Sequence, residues 1–155
     1  MTSGPWIRVS VPQPKASEQQ SKGVVVSYHY SPHDLPVAVR GSFDAGSGRV
    51  VIEFKYLDTE VFDTRQIDDY VALRIGKNSA RLLGMELNAR EIIWEARTSR
   101  SDSKQIQDKM MSKLSGALRR YSQGNKDQEM YSAAFQAAKQ KQNKILSDDR
   151  LVAVG

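Results

Sequence analysis

Two stretches of alternating residues most limit what this chain can fold into. In RVVIEFKYL, starting at Arg49, Val50, Ile52, Phe54 and Tyr56 point one way while Glu53 and Lys55 point the other. A period of two belongs to a strand with one buried face. VAVRGSF precedes it from Val37 across DAGSG, a loop with two glycines available for positive φ angles, and the pair reads as a hairpin. In the second stretch, YVALRI sets Val71, Leu73 and Ile75 opposite Arg74, GKNS follows, and ARLLGMEL sets Leu83, Met85 and Leu87 on one face. Short antiparallel strands with tight turns make a meander, and its apolar face needs a cover.

The cover is helical. NAREIIWEAR (88–97) starts a short helix with Ile92, Ile93 and Trp94 as core candidates. Asp102 with Gln105 is a capping-box start, and beyond it Ile106, Met110, Leu114, Leu118 and Tyr121 recur at helical spacing. Gly124 suits a C-cap, and Asn125 with Gln128 opens a second helix through KDQEMYSAAFQAAKQKQNKIL. That helix carries a largely alanine stripe anchored by Met130, Tyr131, Phe135, Ile145 and Leu146. The expected fold is α+β: a small antiparallel β-meander covered by a C-terminal helical hairpin.

The remaining segments are simpler. WIRVSV alternates at Ile7, Val9 and Val11 and predicts a short strand, and PQPKASEQQSKG (12–23) reads as a flexible linker. VVVSYHY (24–30) reads as a strand that SPHDLP ends. DTEVFDTRQIDD (58–69) is an acidic connection with room for a short strand at Val61 and Phe62. The expected organisation is a flexible N-terminal segment with a short strand at 1–23, a β-rich domain at 24–96, a basic helical hairpin at 97–147 and a tail at 148–155.

FDAGSGRVVIEF and IDDYVALRIGKNSARLLGMELNA resemble a small bacterial family of unknown function. Its pattern runs from a YDxxxDxxYI-like hairpin through an acidic segment to a strand, a tight turn and a GIEI-like closing strand. The counterparts here are Phe43-Asp44, Val50 to Phe54, Ile67 to Asp69, Leu73 and Gly84-Met85-Glu86-Leu87, within residues 37–93. Arg49 stands near the family's second aspartate, and the strand carries Phe54 and Tyr56. The resemblance implies the sheet and brings no activity with it.

The GKNS stretch also raises the question of a phosphate-binding loop. Such a loop needs a glycine five positions before the glycine of its GK pair, then serine or threonine directly after lysine. Here those positions are Val71 and Asn78, and ARLLGMEL alternates like a strand instead of opening a helix. We read a hairpin loop, with Gly76 and Asn78 as the residues suited to left-handed angles.

Few chemistries remain. With no cysteine among 155 residues, thiolate metal sites, disulfides and cysteine nucleophiles are excluded. The two histidines, His29 and His33, flank Pro32 in a turn and do not define a metal site. Asp58, Glu60, Asp63, Asp68 and Asp69 lack the order of a calcium loop. No nucleophile elbow or dinucleotide loop occurs, so we expect no enzyme and no cofactor.

Charge is the remaining lead. Residues 97–144 hold 11 Lys and Arg against 4 Asp and Glu, whereas residues 1–96 hold 11 against 12. Arg97, Arg100, Lys104, Lys109, Lys113, Arg119 and Arg120, with Tyr121 for stacking, could contact a phosphate backbone. Charge runs more often solvate a helix face. The leading expectation is therefore a non-catalytic interaction module that binds a protein partner or self-associates through Met130, Tyr131, Phe135 and Ile145. Sequence-tolerant nucleic-acid binding through 97–144 comes second, and a small-molecule enzyme third. No run is long and apolar enough to span a membrane, and the N-terminus lacks a secretory apolar core, so the expected compartment is the cytoplasm.

Overall fold

The computed structural model describes residues 2–10, 34–123 and 128–146. The expected linker at 12–23, the strand at 24–30, both histidines, the Gly124 and Asn125 caps and the 148–155 tail lie outside these residues.

The fold is α+β. Seven strands, β1 (Thr2–Ser3), β2 (Ile7–Arg8), β3 (Ala38–Asp44), β4 (Arg49–Lys55), β5 (Phe62–Gln66), β6 (Val71–Gly76) and β7 (Leu82–Asn88), form one sheet. Every pairing is antiparallel, in the order β1-β3-β4-β7-β6-β5, with β2 also on β3. The β5–β6–β7 meander thus lies beside the β3–β4 hairpin, with β7 against β4. The N-terminal residues belong to this sheet, because β1 and β2 both pair with β3.

One face is apolar in register. Val39, Phe43, Val50, Ile52, Phe54, Val71, Leu73, Met85 and Leu87 are all buried. The alternation expected for ARLLGMEL fails at its first residue: Leu82, not Leu83, is buried. A register shift pairs Arg74 with Gly84 but Ile75 with Leu82, so Leu83 is the extra residue of a bulge. The other face carries ion pairs, Arg40–Glu53 at 3.0 Å, Arg74–Glu86 at 2.8 Å and Arg49–Glu86 at 3.1 Å.

Four helices, α1 (Arg90–Ser99), α2 (Ser103–Ser122), α3 (Gln128–Gln140) and α4 (Gln142–Ile145), follow the sheet. The boundary expected at 96/97 falls inside α1. The Asp102–Gln105 capping box forms as the sequence predicts, and α2 packs on β6 and β7 and against α1, α3 and α4. None of the helices among the described residues is long and apolar enough to cross a membrane.

Two expectations about the helices change. Trp94 is 65% exposed, because α1 turns Ile92 and Ala96 into the core and Trp94 away from them. The last helix is broken at Lys141, where the turn tightens onto the Ala138 carbonyl, before α4 buries Ile145 and Leu146. That break seats α4 on Gly41 of β3, where any Cβ would overlap the Ile145 carbonyl oxygen.

Candidate functional site

The strongest candidate site is built where the β3–β4 turn meets α1. Asp44 organises the turn, accepting from the Gly46 amide at 3.1 Å and the Ser47 hydroxyl at 3.0 Å. Those bonds, the Ser47 one foremost, hold its carboxyl below the ordinary range. Gly48 takes the left-handed φ of 70° and lies so close to Arg90 that a Cβ would stand 3.1 Å from the Arg90 Cβ. The Gly48 carbonyl accepts from the Ala89 amide at 2.9 Å, and Arg90 Nη2 donates to the Gly46 carbonyl at 3.3 Å. The hairpin therefore fixes where α1 starts.

Helical spacing does the rest. Arg90, Trp94 and Arg97 stand at i, i+4 and i+7, one face of α1, away from the stripe of Ile92 and Ala96. With Phe43, Ala45, Gly48 and Ile93 they line an open cleft of about 370 Å³. Phe43 and Ile93 are buried, Trp94 is exposed, and among the described residues no hydrogen bond or ion pair holds Arg97. The arrangement is an apolar surface with an indole beside it and two guanidiniums at its rim. It can bind a group that is partly apolar and negatively charged.

The sequence signals for partner and nucleic-acid binding fare differently. Met130, Tyr131, Phe135 and Ile145, expected to face a partner, are all core residues with exposures of 7% or less. Helix α3 buries the first three and α4 buries Ile145, against α2 and the sheet, and the Tyr131 hydroxyl donates to the Ala80 carbonyl at 2.8 Å. On α2, Lys109, Lys113 and Arg120 stand at i, i+4 and i+11, along one face of the helix. Lys113 lies over the Tyr70 ring at 4.3 Å, and Arg120 is bonded to Asp68. Arg119 faces a groove of about 550 Å³ between α2 and α3, lined also by Ser115, Gly116, Phe135 and Lys139. Tyr121 is half-buried and packs against Tyr131, with ring centroids 6.0 Å apart. Lys104 and Lys109 are exposed on α2, and Arg100 caps α1 with a φ of 54°. Only Arg97 joins the cleft.

The GKNS turn does cradle an anion, but it is the chain's own Glu60. Its carboxylate accepts from the Asn78 amide at 3.1 Å, the Ser79 amide at 3.2 Å and the Ser79 hydroxyl at 2.7 Å. Buried Arg81 closes the arrangement, bonding Glu60 and, at 2.7 Å, Asp58, while it lies over the Tyr56 ring at 4.6 Å. Burial alone would raise the Glu60 pKa, but the bonds from Ser79, Arg81 and the two amides outweigh it and lower it. Burial drives the Tyr56 hydroxyl well above its ordinary value, and it donates to the Leu82 carbonyl at 2.7 Å. The left-handed residue is Ala80, φ 60°, not the expected Gly76 or Asn78.

The acidic segment is likewise occupied. Asp68 accepts from the amides of Tyr70 and Val71, each at 2.8 Å, and Asp63 lies 3.7 Å from Lys77. Among the described residues no group of three or more potential metal ligands is assembled.

The sequence reading missed Arg90 and Phe43 as site residues and placed Trp94 in the core. The signal was present: Arg90, Trp94 and Arg97 share one helical face, opposite Ile92 and Ala96. No family model matches the chain, and no curated protein or solved structure matches it either.

Proposed function

We propose that this chain is a non-catalytic interaction module whose α1 cleft takes an acidic segment of a protein partner. The observation that carries the reading is Trp94, 65% exposed and flanked on its own helix face by Arg90 and Arg97. Exposed tryptophan beside arginine is the composition of a binding hot spot, and two guanidiniums give the site a preference for carboxylates. Nucleic-acid binding draws less support, since a phosphate backbone is held by many cations along one track. Here Arg120 is already bonded to Asp68 and Lys113 already lies over the Tyr70 ring, which leaves fewer cations free for phosphate.

Fluorescence polarization of the full chain against a labelled glutamate-rich peptide containing leucine, and against generic single-stranded DNA and RNA, tests the proposal. The peptide should bind. Trp94→Ala and Arg97→Glu should each weaken it at least tenfold, about 1.4 kcal/mol, without changing the thermal melt. Oligonucleotide binding that survives Trp94→Ala and falls steeply with salt would overturn it.

A further inference from the structure

The β5 strand is an edge with nothing on its outer side among the described residues. All five of its residues are exposed, and Val61 just before it is 64% exposed. Exposed sheet edges are templates for another strand, and most proteins blunt them with proline, lysine or a bulge. Residues 61–67 contain no proline or lysine and β5 pairs with β6 without a register shift; their two charges, Asp63 and Arg65, are of opposite sign.

The register specifies which backbone groups are free. The Lys77 amide donates to the Val61 carbonyl at 3.0 Å and the Ile67 amide to the Val71 carbonyl at 2.9 Å. With the β5–β6 pairing this directs the backbone groups of Val61, Asp63, Arg65 and Ile67 toward β6. Those of Phe62, Thr64 and Gln66 point outward.

We propose that β5 pairs antiparallel with β5 of a second copy of this chain, about a two-fold axis at Thr64. In that register every outward backbone group finds a partner: Thr64 meets Thr64 of the second copy, and Phe62 meets Gln66. The intervening non-hydrogen-bonded positions, where facing Cα atoms are about 4.5 Å apart, set Asp63 opposite Arg65 and Arg65 opposite Asp63. Val61 falls opposite Ile67 at both ends, which covers an otherwise exposed apolar side chain. Centring the axis on Asp63 instead would face aspartate with aspartate, and centring it on Arg65 would face arginine with arginine. Charge therefore selects the Thr64 register over both neighbours. The contact is isologous and closes as a dimer, with the sheet continuing across both copies. It is separate from the α1 cleft and does not rest on it.

Sedimentation velocity on the full chain across a concentration series tests this. The wild type should show a concentration-dependent monomer–dimer equilibrium. Asp63→Arg and Arg65→Asp should each abolish the dimer alone, and an equimolar mixture of the two should restore it. That recovery is a result that misfolding of either variant cannot produce. Thr64→Pro should also abolish it while keeping the melt, because the amide it removes faces away from β6. A wild type that is monomeric at every concentration, as when another segment of the same chain fills the edge, overturns the proposal. So does a dimer that persists in both single charge variants and in Thr64→Pro.

Discussion

Arg81 is buried to 2% exposure and would be a severe liability without Glu60 and Asp58. An isolated buried charge is far more costly than a paired one, so removing one partner typically destabilises by about 3 kcal/mol or more. We expect Glu60→Gln to lower stability by roughly that amount at pH 7. The sign with pH follows from the depressed pKa of Glu60. A carboxylate whose pKa is lowered by folding stabilises the fold above its unfolded value, ordinarily 4.5, and that stability is lost as pH falls through the folded value. Urea melts at pH 7 and pH 3 should therefore show wild type and Glu60→Gln far apart at pH 7 and drawing together at pH 3. A gap that is the same at both would mean that the pair does not titrate as the geometry implies. The sequence made the GKNS turn legible, through its glycine, asparagine and serine. It could not reveal the anion inside it, because Glu60 lies 18 residues before Asn78 and only the β5–β6 pairing brings them together.

Periodicity made most elements readable and failed where one packing contact overrides it. Strands β3, β4 and β6 and the capping box of α2 follow from local pattern alone. The β7 bulge does not, since the alternation with Met85 and Leu87 points to Leu83, and only the shifted pairing with β6 turns Leu82 into the core instead. Trp94 was misread because a large aromatic beside two isoleucines suggests a core, whereas the helix angle sends it outward. The break before α4 is invisible in KQKQNKIL, and α4 then comes so close to β3 that only a glycine fits at position 41. Gly41→Ala should accordingly destabilise by about 2–3 kcal/mol or more, as overpacking against backbone that cannot easily yield. A denaturant midpoint unchanged within error would show that α4 does not rest on β3.

At the scale of the molecule, several cations of the basic third take up contacts within the fold. Arg120 turns to Asp68, Lys113 to Tyr70, Arg119 to the α2–α3 groove, and Arg97 joins Arg90 beside Trp94. A single core joins sheet and helices, with Val50, Leu73 and Met85 in the same cluster as Met110, Tyr131 and Leu146. The helices named as the binding surface from sequence thus complete the fold, and the candidate surface moves to α1 and the β3–β4 turn. The measurement that bears most directly on that claim is an amide NMR titration of the full chain with the glutamate-rich peptide. Shifts should concentrate at residues 43–48 and 90–97 and at the Trp94 indole, and be absent in Trp94→Ala. Shifts confined to α2 and α3, or none at all, would contradict it.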